Sequence, residues 1–305
     1  MTIVLGFDDY ELPAKQLAER IETNFAKVEL HQFPDGETKV TLPTNLPKHV
    51  IICRTLNQPN TKLIEIIIAA SEARNQGVER VTLVAPYLCY MRQDIAFSPG
   101  EAVSQKIIGK LLSDYFDGVI TIDPHLHRIT HLIEAIPTKQ AITLHATKAM
   151  SDFLQQHFAS PIIIGPDEES AQWVKAISKP QHWRYSVANK QRFDDKHVAV
   201  QLGDVACDFE RDNIGNFANV MNAEDVVIVD DIASTGKTLE QTVIQLQHYR
   251  PKSISIIVSH AFFVDDAISR LKALGVDNIW SSDSVIHTTN AFSIIDTIAE
   301  QIQEP

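Results

Sequence analysis

Short apolar runs, most of them rich in valine and isoleucine, recur along the chain, and stretches with helical spacing separate them. In the first half the runs cover residues 3–7, 28–33, 49–54, 80–86 and 118–123. A strand covered on both faces reads as a continuous apolar run, not an alternating one. Between these runs, residues 61–77 and 103–116 carry apolar positions on a 3.6-residue period, and Gly77 supplies a helix stop. The second half repeats the scheme. Strands are expected at 161–165, 184–188, 225–230, 253–259 and 277–280, and helices at 168–178, 236–249, 264–274 and 291–303. Such alternation excludes all-α and all-β folds. It predicts an α/β chain with two mostly parallel, doubly wound sheets flanked by helices. The 305 residues also fit two domains, expected at 1–143 and 144–289.

Composition narrows the function classes. Asp plus Glu number 39 against 27 Lys plus Arg, a formal charge of −12. With no basic stripe, nucleic acid is not an expected partner. No apolar run approaches the ~18 residues of a membrane span, so no membrane is expected. The start, Met1 to Asp9, lacks a basic flank and meets acid too early for a signal peptide. Cys53, Cys89 and Cys207 show neither disulfide nor zinc spacing, which fits reduced thiols and a cytoplasmic location.

Residues 226–239 carry the strongest chemical signal. An apolar strand ends in Asp230 and Asp231, a loop of small residues follows, and a helix begins near Gly236. The loop N–H groups and helix N-terminus form an anion site. Ser234, Thr235 and Thr238 add hydroxyls, Lys237 adds charge, and Gly236 permits close backbone approach. The Gly236-Lys237-Thr238 triplet does not make a nucleotide P-loop, because Asp231 stands where that motif needs glycine. Two acids at a strand end can instead accept hydrogen bonds from vicinal sugar hydroxyls while the loop takes the same sugar's phosphate.

This segment resembles the phosphoribosyl-diphosphate loop shared by type I phosphoribosyltransferases and phosphoribosyl-diphosphate (PRPP) synthetases. Further segments favour the synthetases. Phe33-Pro34-Asp35-Gly36-Glu37 resembles their Phe-Ser-Asp-Gly-Glu turn. Arg92-Gln93-Asp94, followed by Pro99-Gly100-Glu101, resembles their Arg-Gln-Asp and Pro-Gly-Glu stretches. Asp123-Pro124-His125 resembles their Asp-Leu-His, Pro166-Asp167 their Pro-Asp, and Asn189-Lys190-Gln191-Arg192 their Asp-Lys-Arg-Arg. The departures are Ile95-Ala96-Phe97, which lacks basic residues, Glu168-Glu169-Ser170 in place of His-Gly-Gly, and Ser234 in place of Asp.

The resemblance implies two phosphoribosyltransferase-like domains, with a C-terminal helix in 290–305 packing back on the first. It implies ribose-phosphate diphosphokinase activity, converting ATP and ribose 5-phosphate to PRPP and AMP with Mg²⁺. By the same resemblance Phe33, Asp35, Gly36 and Glu37 contact ATP across a subunit interface, so a homo-oligomer, dimer or higher, is expected. Arg92 and Gln93 also hold ATP. His125 and Asp167 serve magnesium, and Lys190 and Arg192 are catalytic. Ribose 5-phosphate goes to Arg192, Asp230, Asp231, Ser234, Thr235, Gly236, Lys237 and Thr238. Two alternatives remain open: a phosphoribosyltransferase that consumes PRPP, and a catalytically silent regulatory homologue of the synthetase.

Overall fold

The computed structural model describes residues 1–126, 128–192, 198–202 and 221–303, with 189–192 and 198–202 described as backbone only. The chain divides into two compact units. The first comprises Met1–His145, Ser284–Ile286 and the segment from Ile294 onward; the second comprises Ala146–Asp283 and His287–Ser293.

Unit 1 contains a parallel six-stranded sheet of β1 (Thr2–Gly6), β2 (Asn24–Lys27), β5 (His49–Cys53), β6 (Arg80–Val84), β7 (Gly118–Ile122) and β8 (Gln140–Leu144). Their order is β2-β1-β5-β6-β7-β8. Helices α1 (Glu11–Arg20), α2 (Pro59–Asn75) and α3 (Ser104–Tyr115) connect them. In β5, Val50, Ile51, Ile52 and Cys53 are all fully buried, which is why the run lacks polar alternation. The helix α8 (Ile295–Gln303) is tied to α1 by a 2.8 Å ion pair between Arg20 and Asp296 and by Gln303 Nε2 donating to the Arg20 carbonyl.

The expected strand at 28–33 is found as β3 (Glu29–Gln32), which pairs antiparallel with β4 (Thr38–Thr41) in a separate hairpin. Residues 24–27, not expected as a strand, form β2 beside β1, so the chain divides between the main sheet and the hairpin. The division falls at Val28. Its side chain is fully buried and its N–H donates to the Gly6 carbonyl at 2.8 Å, so it anchors the chain where it leaves the main sheet.

Unit 2 contains a seven-stranded sheet in the order β11-β10-β9-β12-β13-β14-β15. The strands are β9 (Ile162–Gly165), β10 (Arg184–Arg192), β11 (Val198–Leu202), β12 (Asp225–Ala233), β13 (Ser253–Ala261), β14 (Asn278–Ser282) and β15 (Asn290–Phe292). The β10–β11 pair is antiparallel and the others are parallel. Helices α4 (Thr147–Gln155), α5 (Ala171–Ser178), α6 (Lys237–Gln247) and α7 (Ala267–Ala273) accompany it. The helices expected in the second half are shorter than read, two of them for a visible reason at their starts. A 3₁₀ turn at Glu168–Ser170 precedes α5 because the Asp167 carboxylate accepts from the Ser170 N–H. Residues 290–292 extend the sheet instead of starting the last helix, with Asn290 opposite Ser281.

Candidate active site

The strand order fixes where a ligand can sit in unit 2. The connection from β9 leads to β10 on one side, and β12 leads to β13 on the other. The crevice between β9 and β12 at their carboxyl ends is therefore the topological switch point of an open α/β sheet. Ile164 of β9 lies opposite Ile228 of β12, so the residues that follow, Asp167 on one side and Asp230 and Asp231 on the other, come out at the same edge. Asp230 is half-buried and Asp231 buried. The Asp230 carboxyl is held well above the ordinary carboxylate range, first by burial and then by the charges of Asp231 and Asp167. Its Oδ1 accepts from the Asp231 N–H at 3.0 Å. Such crowding of carboxyl groups favours ligands that offset the repulsion, above all hydroxyl donors.

Beyond β12 the chain turns through residues 234–236 into α6. Gly236 has φ +74, the left-handed conformation that favours glycine. The turn is fastened from behind: the Phe262 N–H donates to the Ala233 carbonyl at 2.8 Å, and Arg270 Nη2 to the Thr235 carbonyl at 2.8 Å. Helix α6 has Gly236 as its N-cap, a residue with no side chain to cap it. Its first N–H groups are thus left for an anion, beside the hydroxyls of Ser234, Thr235 and Thr238. Lys237 is exposed at the same turn. Lys190 and Arg192 lie two positions apart on β10, which pairs with β9; their side chains lie outside the described residues.

In unit 1 the other sequence-predicted residues fall on two separate structures. The residues Phe33, Asp35, Gly36 and Glu37 are all exposed at the tip of the β3–β4 hairpin. The tip is closed by the Phe33 N–H to Glu37 carbonyl bond at 2.8 Å, the Asp35 carboxylate accepts from the Glu37 N–H, and Gly36 has φ +94. Arg92 is exposed in the segment after β6. Gln93 is anchored there by Ser104 Oγ, which donates to its Oε1 at 2.9 Å. His125 is half-buried just past the carboxyl end of β7.

Sequence reasoning missed two groups. Asp123 is buried, with φ +37, and its Oδ1 lies 2.8 Å from His145 Nδ1; this contact raises the affinity of the imidazole for a proton. The available signal was that each is the first polar residue after an apolar run, on neighbouring strands. The second group fills the switch point of unit 1, between β1 and β5. Arg54 pairs with Asp9 at 3.0 Å and Glu65 at 2.6 Å, and Lys62 with Asp9 at 2.6 Å. The Arg54 guanidinium also lies 4.2 Å from the Phe7 ring centroid. The equivalent crevice is lined by acids in unit 2 and closed by ion pairs in unit 1.

A double-wound sheet carrying two acids and an uncapped helix after one strand defines the phosphoribosyltransferase class of domain, and the phosphoribosyl transferase domain model matches residues 133–295. The N-terminal domain model of ribose phosphate pyrophosphokinase matches residues 1–115. The chain belongs to the ribose-phosphate pyrophosphokinase family. Among its relatives is the ribose-phosphate pyrophosphokinase of Methanopyrus kandleri, 27% identical over 304 residues that cover 99% of this chain and 98% of the other. That of Pyrococcus abyssi is 26% identical, covering 94% of this chain and 95% of the other. The crystal structure of the Mycobacterium smegmatis phosphoribosylpyrophosphate synthetase shares the fold, with a TM-score of 0.80 at 18% identity over 99% of this chain and 97% of that one.

Proposed function

We propose that this chain transfers the diphosphoryl group of Mg-ATP to the C1 hydroxyl of ribose 5-phosphate, giving PRPP and AMP. The hydroxyl oxygen bonds to the β-phosphorus, the bond from that phosphorus to the α,β-bridging oxygen breaks, AMP leaves with the bridging oxygen, and the hydroxyl proton is released. The observation that carries this reading is the unit 2 crevice, where Asp230 and Asp231 stand beside the uncapped start of α6. The two acids accept from the sugar hydroxyls. Ser234, Thr235, Gly236, Lys237 and Thr238 take the 5-phosphate.

Arg92 and Gln93 take the nucleotide, joined by Phe33, Asp35, Gly36 and Glu37 of a neighbouring copy in a homo-oligomer. Lys190 and Arg192 neutralise charge on the group in transit, and Arg192 also reaches the sugar phosphate. Magnesium fits the oxygen donors of unit 2, because it binds through one or two carboxylates plus substrate phosphates and not in closed protein cages. No group of three or more His, Cys, Asp or Glu side chains could hold a metal among the described residues, which leaves that shared mode. Asp167 would hold the ion in unit 2, and His125 would serve it on the nucleotide side. When bound, magnesium supplies charge neutralisation on the phosphates.

Cys53 and Cys89 are buried and form no disulfide, in keeping with a reducing cytoplasm; Cys207 lies outside the described residues. No helix among the described residues is long and apolar enough to cross a membrane. The test is AMP release from Mg-ATP that depends on added ribose 5-phosphate. A phosphoribosyltransferase would release none and would instead consume PRPP with a base. A silent regulatory homologue would do neither.

A further inference from the structure

An ion pair in unit 1 lies next to the nucleotide residues and has no part in the assignments above. The Asp94 side chain is 3% exposed, and its Oδ1 accepts from Arg128 Nη1 at 2.7 Å. Its Oδ2 is buried and has no hydrogen-bond partner among the described residues. Arg128 is itself 48% exposed, and its guanidinium lies 6.0 Å from the ring centroid of the exposed Phe97.

A purely structural arginine–carboxylate pair gains most from two parallel bonds, which satisfy both oxygens. The Asp94–Arg128 pair has one. A buried carboxylate met on a single oxygen is a costly way to fasten a loop. It is, however, an effective way to hold an arginine by one corner. Of the five N–H donors of a guanidinium, one is engaged with Asp94, and the rest of the fork stands at the surface.

The position is informative. Asp94 is two residues after Arg92, and Arg128 is three after His125, so the pair links the two segments that carry the nucleotide residues of unit 1. Residues 95–97, Ile-Ala-Phe, bring no cation of their own. Phe97 places an aromatic ring 6.0 Å from the guanidinium, and an aromatic face tolerates a cation beside it.

We propose that Arg128 is a polyphosphate-binding residue for the nucleotide, and that Asp94 is its positioning residue. The inference rests on the reading of the chain as an enzyme acting on Mg-ATP. Arg128 takes non-bridging oxygens beyond the α-phosphate, and planar oxygen pairs suit its fork better than they suit a lysine ammonium. Asp94 fixes the direction of the fork before the nucleotide arrives.

The test is calorimetric titration of wild type, Arg128→Ala, Arg128→Lys and Asp94→Asn with Mg-ATP and, separately, with AMP, which lacks the outer phosphates. Arg128→Ala should weaken Mg-ATP by roughly 10–100-fold, the scale of losing hydrogen bonds to a charged group. AMP affinity should change less than about twofold, within the scale of a surface charge change. Arg128→Lys should recover part of the loss, since it keeps the charge without the fork. Asp94→Asn should weaken Mg-ATP more than AMP. Mg-ATP affinity unchanged in Arg128→Ala, or equal losses of Mg-ATP and AMP in Arg128→Ala and Asp94→Asn, would overturn the proposal. If wild type still forms AMP from Mg-ATP and ribose 5-phosphate in that case, the functional reading stands and only the role of Arg128 falls. A wild type that binds no Mg-ATP overturns both.

Discussion

Replacing Asp230 by asparagine should stabilise the ligand-free protein at neutral pH and weaken the proposed sugar site. The Asp230 carboxyl is pushed well above its ordinary 3.8 by burial, then by Asp231 and Asp167. A group whose folded-state pKa is raised contributes stability that is fully present below the unfolded value and lost as pH rises through the folded one. At pH 7, above the unfolded value, that stability is wholly or partly lost, so the acid leaves the folded state less stable than a neutral side chain would. Asparagine is isosteric, stays neutral, and its Oδ1 can still accept from the Asp231 N–H. The variant should thus be more stable than wild type at pH 7, and the difference should vanish as pH falls below about 3.8, where both are uncharged. The ligand side moves the other way. A hydrogen bond to a charged acceptor is worth roughly 1.5–3 kcal/mol, so ribose 5-phosphate should bind about 10–150-fold more weakly. Urea denaturation across pH gives the first quantity and calorimetric titration the second. A variant less stable than wild type at pH 7 would refute the electrostatic argument, and unchanged sugar affinity would refute the assignment of the acid to the sugar.

Lys190→Ala and Arg192→Ala should each lower turnover by about 10²–10³, the scale of losing one preorganised charge donor, with smaller changes in KM; steady-state kinetics showing less than tenfold in both would refute the assignment. Gly109→Ala should destabilise unit 1 by about 3 kcal/mol or more despite alanine's better helix propensity, because a Cβ there would lie 1.9 Å from the Ala135 carbonyl oxygen; a urea-derived loss under about 1 kcal/mol would contradict that contact. The His49 imidazole is held down to about 4 from 6.5, mainly by burial and then by Arg80. Its contribution is present above 6.5 and is lost as pH falls toward 4. His49→Gln should flatten the fall of stability between those values in pH-dependent denaturation, and an unchanged slope would count against it.

The sequence made the buried strands legible because their environment leaves no polar position. Residues 49–54, 80–86 and 118–123 overrun β5, β6 and β7 by one or two residues at their carboxyl ends. The acid pair after β12 and the turn into α6 were legible for a similar local reason, since strand, acids, glycine and helix are consecutive. The proximity of Asp167 to Asp230 was not, because it depends on β9 pairing with β12 across some sixty residues of chain, and register of that kind leaves no local mark. The division at Val28 was hidden because a single apolar residue can end one strand and begin another. Helices α1 and α4 were missed. The Arg54 network was missed because Arg54 at the end of an apolar strand reads like any solvated charge until Asp9 and Glu65 are brought to it.

The way the chain is shared between the units has a consequence for how it is made. Unit 1 starts at the first residue, yet Ser284–Ile286 and α8 belong to it, and α8 is fastened to α1 through Arg20. A ribosome delivers α8 nearly three hundred residues after α1. At the roughly 5–20 residues per second of translation, that gap lasts on the order of tens of seconds. Within that gap all of unit 2, through Ser293, is made while the older unit waits with one helix uncovered. The portion begun first is completed last. Released fragments ending at Ser293, which carry all of unit 2 but lack α8, should therefore hold a finished second unit and a protease-sensitive first one.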